Sequence, residues 1–233
     1  MENKIIVFEN SEADAIALDY FKAMCGFNRP GDRFQSMLLS GLAIRDQIKD
    51  SIQIKVIISA FDRESIKGAN IEIKNLVFSC QALDQIERGS VARIYAYLLT
   101  IGQLQYNSDS VLDLFYADAW GTAYVDAGRD LLRAWLQNSH AAVNGELVSD
   151  SFGPGYYGMG MDQLAKFFQL LDAEQIGIQL NGSTMMLPLK SCAGFFLVVT
   201  DEGQLPGNDC KSCLSEAKGC NFCRYYNKKR GSM

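Results

Sequence analysis

Four cysteines near the end of the chain have types and spacing suited to holding a metal. They read Cys210-Lys-Ser-Cys213 and Cys220-Asn-Phe-Cys223, with six residues between the pairs. A two-residue gap lets both sulfurs of a pair face one point. Two such pairs supply four thiolates, which complete a tetrahedral zinc site. Four thiolates equally hold an iron–sulfur cluster. The six-residue spacer is shorter than most structural zinc sites use. It also fails the bacterial ferredoxin spacing, which sets three cysteines two residues apart. Zinc and iron–sulfur therefore both stay open. A disulfide pair or a redox Cys-x-x-Cys is the plainer alternative, but no βαβ pattern surrounds either pair. Cys25, Cys80 and Cys192 lie in apolar periodic segments and read as packing residues.

The second chemical feature is a loop, Ser151-Phe-Gly-Pro-Gly-Tyr-Tyr-Gly-Met-Gly160. Glycine has no Cβ, so such a backbone can approach a ligand closely. Tyrosine beside it offers a stacking face and a hydroxyl. The loop lacks the spacing of a dinucleotide fingerprint and the Gly-Lys-Ser/Thr of a phosphate loop. The plain alternative is a rigid turn before a helix. Asp118 and Asp126 lie eight apart on one side of a helical segment, either facing the loop or simply solvated. With His140 as the one histidine and no Gly-x-Ser-x-Gly elbow, hydrolytic nucleophile constellations have almost no candidates.

These groups need a scaffold, and the composition supports one. The chain has 233 residues, 48% hydrophobic and 21% charged, enough to bury a core without staples. Its net charge of −5 argues against a nucleic-acid partner, which needs a basic face. The apolar run Ile5 to Phe8 is too short for a secretory leader, and no stretch approaches the ~20 apolar residues of a membrane span. The expected location is the cytoplasm, where thiols stay reduced.

The periodicity predicts a strand over 4–9 and a helix capped by Ser11, then a break at Asn28-Arg-Pro-Gly31 and a helix over 33–49. Ile52, Ile54, Val56 and Ile58 alternate as a half-buried strand; 71–77 and 92–100 follow as strands. Residues 108–137 form a long helix with Leu112, Phe115, Ala119, Ala123, Ala127, Leu131 and Trp135 as its core stripe. A helix over 161–171 and strands over 176–180 and 192–200 complete the pattern. The expected fold class is α+β: a twisted, mainly antiparallel sheet under one long packed helix. The expected division is 1–204 for this domain and 205–233 for a small cysteine-rich tail.

The stretch Gly153-Pro-Gly-Tyr156, the helix ending Leu170-Leu-Asp172, Gly177-Ile-Gln-Leu180, Ser183, Met186, Pro188 and Ser191 stand together in order. This succession resembles the activation domain of cobalamin-dependent methionine synthase. Upstream, Ala117-Asp-Ala-Trp-Gly-Thr-Ala-Tyr-Val-Asp126 is similar to a helix of that domain's stand-alone relatives, some of which end in a short cysteine motif. The resemblance spans about 70–225 and is clearest over 153–194.

The resemblance implies a shallow S-adenosylmethionine site formed by Gly153, Pro154, Gly155, Tyr156 and Ser183. It implies an accessory role: presenting that methyl donor so that an inactive corrinoid methyltransferase regains its cycle. Cobalamin would come only through the partner, because His140 does not stand in the Asp-x-His-x-x-Gly pattern of a cobalt ligand. The chain is too short to be a complete methionine synthase. It also departs from the family pattern. An arginine that would grip the ligand carboxylate is Ser151; a Thr-Glu pair is Asn181-Gly182; a strand serine is Ala193. Losing the arginine removes a charge-assisted bond worth about 1.5–3 kcal/mol. Arg129, Arg133 or a lysine could stand in for it. The alternative reading is a zinc or iron–sulfur interaction or electron-transfer module that keeps the fold without the ligand.

Overall fold

The computed structural model describes residues 3–80, 83, 84, 86–182 and 185–200, without the side chains of 141–144. The four tail cysteines, the 205–233 unit and Ser183 lie outside the described residues. In chain order the elements are β1 (Lys4–Phe8), α1 (Asn10–Cys25), α2 (Asp32–Ile48), β2 (Ile54–Phe61), β3 (Ile66–Lys67), β4 (Asn70–Ile73), β5 (Leu76–Ser79) and β6 (Val91–Thr100). Then come α3 (Val111–Asn144), β7 (Leu147–Val148), α4 (Leu164–Leu170), β8 (Gln179–Leu180), β9 (Met186–Leu187) and β10 (Ser191–Val199). No described helix is long and apolar enough to cross a membrane.

The main sheet has the order β1-β2-β6-β10-β7, and every pairing is antiparallel. Its three central strands are apolar on both faces because both faces are covered. Ile54, Val56 and Ile58 of β2, Tyr97 and Leu99 of β6, and Phe196 and Val198 of β10 meet α1, α2 and α3. Ile57, Ile94, Ala96, Leu98, Phe195 and Leu197 face the other way, toward β3–β5 and α4. The half-buried alternation expected at Ile52–Ile58 holds at Gln53, which is exposed, and Lys55, which is partly buried; only Val56–Ile58 is buried on both faces.

Three further expectations change. Helix α1 is capped at Glu9, not Ser11, two residues earlier: Glu9 N–H donates to Glu12 Oε2 at 2.9 Å and Glu12 N–H to Glu9 O at 3.0 Å. The predicted strand over 71–77 is a hairpin, β4–β5, folded at Lys74 (φ 50°) and Asn75 (φ 68°). Helix α3 starts at a Ser110 cap, whose Oγ accepts from Asp113 N–H at 3.2 Å, and runs on to Asn144. Its core stripe is Tyr116, Ala119, Trp120, Ala123, Tyr124, Ala127, Leu132 and Leu136, whereas Leu112 and Phe115 are exposed. Val111, Leu112, Leu114 and Phe115 leave an exposed apolar face on its first turns.

The helical layer is tied by aromatics. Trp120 stacks on Phe21 with centroids 4.1 Å apart, and its indole N–H donates to Gly41 O at 2.7 Å. Tyr124 donates to Asp14 at 2.7 Å and Tyr20 to Asp130 at 3.0 Å, each bridging α1 and α3. These bonds satisfy hydroxyls that burial would otherwise leave costly.

Candidate functional site

Strand alternation decides which face of β10 meets α3. Cys192, Gly194, Phe196 and Val198 share that face, and Gly194 leaves a gap in it. The gap is filled by neighbours. A Cβ on Gly194 would meet Phe152 O at 2.7 Å, Ser151 Oγ at 3.0 Å and a Tyr97 ring carbon at 3.2 Å. The glycine-rich loop lies against this strand. Phe152 and Phe195 exchange backbone bonds, N–H to O, at 3.1 and 2.7 Å. A Cβ on Gly153 would stand 2.3 Å from Ala193 O and 2.9 Å from Gly194 Cα. Glycine at 153 is thus a packing requirement of loop on strand.

Beyond Gly153 the loop turns on itself. Gly155 (φ 88°) donates to Met159 O at 2.9 Å, and Tyr156 donates to Gly153 O at 2.9 Å. This leaves the Tyr156 side chain 54% exposed at the rim. Pro154 starts the turn, as its fixed φ suits. The four residues Gly153, Pro154, Gly155 and Tyr156 are therefore together in one tight turn.

Helix α3 supplies the facing wall. Asp118, Thr122, Asp126, Arg129 and Arg133 recur every three or four residues and share one stripe. Each position is engaged. Lys190 Nζ reaches Asp118 Oδ1 at 2.7 Å and Thr122 Oγ1 at 2.9 Å. Arg129 Nη2 meets Asp126 Oδ1 at 2.8 Å, and its guanidinium carbon lies 5.9 Å from the centre of the Tyr156 ring. Arg133 donates to Val148 O at 3.0 and 3.2 Å and pairs with Asp150 at 3.1 Å. Of the two acids singled out in the sequence, Asp126 faces the loop and Asp118 sits exposed at the far end under Lys190.

The floor is polar as well. Tyr97 is buried, and its hydroxyl lies 2.6 Å from Ser151 Oγ. Burial drives the Tyr97 pKa well above its ordinary value. Burial works most strongly against the Arg129 charge, but Asp126 together with Tyr97, Cys192 and Tyr156 outweighs it and holds the guanidinium pKa well above its usual range. The seam between α3 and the loop thus offers a fixed cation, a carboxylate, two hydroxyls and an exposed aromatic face. It is a seam, not a deep hollow; one open hollow lies elsewhere, beside Ile66, Lys67, Leu83 and Arg88.

The packing role read for the cysteines holds: Cys80 is buried, and Cys25 and Cys192, half-buried, pack against the core under the helices. Burial pushes the Cys25 and Cys192 thiols up to about 11, with Arg129 partly relieving Cys192. A shift of about two units from 9 leaves some 100-fold less thiolate at neutral pH. Peptide mapping after brief iodoacetamide treatment at pH 7.5 is expected to find both thiols about 100-fold slower than in urea. Their folded pKa is raised, so the stabilisation is complete below the unfolded value of 9 and falls as pH rises toward 11. Urea midpoints are expected to hold from pH 7 to 8 and drop through pH 9–11; a flat profile would contradict these thiol environments.

His140 was read from the sequence as a helix-end residue near the C-terminus of the long helix, favoured by the dipole. It does stand near that end, but specific bonds hold it. Nε2 is 2.9 Å from the Tyr95 hydroxyl and Nδ1 is 2.8 Å from Glu146 Oε2. Both ring nitrogens are engaged. Nearby, Gln137 accepts from Val148 N–H and donates to Glu146 O, both at 2.8 Å, which fixes β7 against α3.

Two groups escaped the sequence reading. Tyr97 looked like part of an apolar strand, and Cys192 like plain packing. The signal for both was the two-residue alternation that sets them on one face with Gly194. Of the family departures, Ala193 turns away from the seam: its side chain is buried in the second core cluster. Gly182 stands in open space with nothing near its Cβ position. Ser151 lies in the seam, where its Oγ meets the Tyr97 hydroxyl.

A five-stranded antiparallel sheet under one long helix, with a Pro-Gly-Tyr turn docked on its fourth strand, defines an activation-domain-like fold. A solved crystal structure bears this out: that of the MetH reactivation domain bound to AdoHcy (S-adenosylhomocysteine). It is 13% identical, covers 98% of this chain and 89% of its own, and superposes with a TM-score of 0.62. At that identity the likeness establishes the fold. No family model matches the chain. No curated protein matches it either.

Proposed function

We propose that this chain binds S-adenosylmethionine at the seam between α3 and the Gly153–Tyr156 turn and presents it to a corrinoid protein for reductive methylation. The observation that supports this most is the seam itself: a turn pressed onto β10, a paired Asp126 and Arg129, and the exposed Tyr156 ring. It lies in the fold of a domain whose crystal structure carries AdoHcy. Such a ligand is an amino acid joined to a nucleoside. Its carboxylate calls for a cation, its ammonium for an acid, and its base for an aromatic face. Gly153, Pro154, Gly155 and Tyr156 would form the ligand's backbone cradle, with Ser183 as a further contact.

The chain's part would be positioning. It holds the donor with its methyl carbon outward, while a partner supplies the cobalamin and an external reductant supplies the electron. The transfer forms a cobalt–carbon bond and breaks the sulfur–carbon bond, whose electron pair stays on sulfur, leaving S-adenosylhomocysteine. Engagement of both His140 nitrogens supports a partner-borne corrinoid.

The test uses S-adenosylmethionine labelled in its methyl group, a reductant and a purified cobalamin-bearing methyltransferase in its inactive oxidised form. Label is expected on the corrinoid only when this chain is added. No label with several such partners, despite measurable ligand binding, would remove the reactivation role. On the same reading Cys210, Cys213, Cys220 and Cys223 hold one zinc or one iron–sulfur cluster in the 205–233 tail. Anaerobically purified protein that is brown and absorbs near ~400 nm is expected for the cluster, and colourless protein with one zinc for the clamp. Protein with neither metal would refute the site.

A further inference from the structure

The geometry points to Arg129, on helix α3, as the anchor for the carboxylate of the bound amino-acid moiety. This rests on the seam being an S-adenosyl amino-acid site, and it names the residue that would give that site its affinity.

A carboxylate leaving water needs a charged, hydrogen-bonding partner. Among the described residues, three cations stand on or over the α3 stripe. Lys190 is spent on Asp118 and Thr122, and its stem lies on Gly121, where a Cβ would meet it at 2.9–3.1 Å. That is two helical turns from Arg129. Arg133 is spent on Val148 O and Asp150, where it braces β7 and the entry to the loop. Arg129 remains. It gives Nη2 to Asp126, one of the five N–H donors a guanidinium carries.

Its surroundings favour the same assignment. The side chain retains 23% of its exposure, so it is accessible from the seam while largely desolvated. It lies beside the Tyr156 ring and near Tyr97 and Cys192. Tyr97 in turn bonds Ser151. The cation thus comes from the helix to the side of the loop where position 151 offers only a hydroxyl. Asp126 serves as its resident counter-ion. When a ligand arrives, Asp126 can hold the ligand's ammonium while the guanidinium turns a free edge to the carboxylate.

The test compares two ligands on intact protein by calorimetry. S-adenosylhomocysteine carries the amino-acid group; 5′-methylthioadenosine has the nucleoside and sulfur without it. In Arg129→Gln the dissociation constant for S-adenosylhomocysteine is expected to rise about 10- to 100-fold, the worth of a charge-assisted bond. Binding of 5′-methylthioadenosine should be unchanged. Arg129→Lys, which keeps a charge but not the planar fork, should fall between. Equal binding of S-adenosylhomocysteine by wild type and Arg129→Gln would overturn the anchor and leave the seam reading standing. Loss of both ligands together in both variants would make Arg129 structural and also overturn it. Wild type binding neither ligand would remove the seam reading itself.

Discussion

Gly153→Ala is expected to abolish ligand binding and to destabilise the fold at once. The added Cβ would stand 2.3 Å from Ala193 O and 2.9 Å from Gly194 Cα. Both are backbone atoms of a strand paired with β6 at these positions, so neither can swing away as a side chain would. The loop must lift instead. Lifting stretches the two Phe152–Phe195 bonds and tilts the Gly155–Met159 turn that carries Tyr156. Overpacking of this kind costs about 1–3 kcal/mol. Urea melts should show that loss, and calorimetry at low temperature, where the variant stays folded, should show no S-adenosylhomocysteine binding. A stable variant with unchanged affinity would mean that the turn does not rest on β10 as described.

Trp120→Ala is expected to have the largest effect on stability alone. Trp120 is fully buried, stacks on Phe21 and donates to Gly41 O. Its removal leaves a cavity where α1, α2 and α3 meet and orphans a buried carbonyl contact. Truncations of this size cost about 3–5 kcal/mol. For a chain of this length that lowers the melting temperature on the order of 10 °C. Trp120→Phe, which keeps the stacking but not the N–H, should cost about 1–2 kcal/mol less. A drop of only a degree or two in Trp120→Ala would contradict the packing of α3 on the two N-terminal helices.

The contrast between these residues explains what could be read from the chain. The antiparallel sheet under a long helix was legible because β2, β6 and β10 carry dense runs of branched and aromatic residues, and α3 repeats every three to four. The strand order was not legible. β10 joins the sheet between β6 and β7, a pairing made across more than ninety residues, and local pattern carries no trace of it. The β4–β5 turn escaped because it sets positive φ on Lys74, a residue type that rarely signals one. Leu112 and Phe115 fit the helical period but stand exposed, so period alone overstated the core.

The seam was half legible. The Gly-Pro-Gly-Tyr run announced a close approach of backbone, and the structure shows what it approaches. The sequence offered Arg129, Arg133 or a lysine as the cation without choosing among them. Arg129 and Arg133 differ by one helical turn and look alike in sequence. Their roles separate only because Val148 and Asp150 take one of them and Asp126 and Tyr156 the other.

The central claim is that an S-adenosyl amino acid sits between α3 and the Gly153–Tyr156 turn. Amide chemical-shift mapping of isotope-labelled protein titrated with S-adenosylhomocysteine tests it most directly. The expected result is saturable shifts at Asp126, Arg129, Gly153, Gly155, Tyr156 and Gly194, with the β3–β5 sheet unmoved. No shifts at millimolar ligand, or shifts gathered instead around the hollow at Ile66, Leu83 and Arg88, would contradict it.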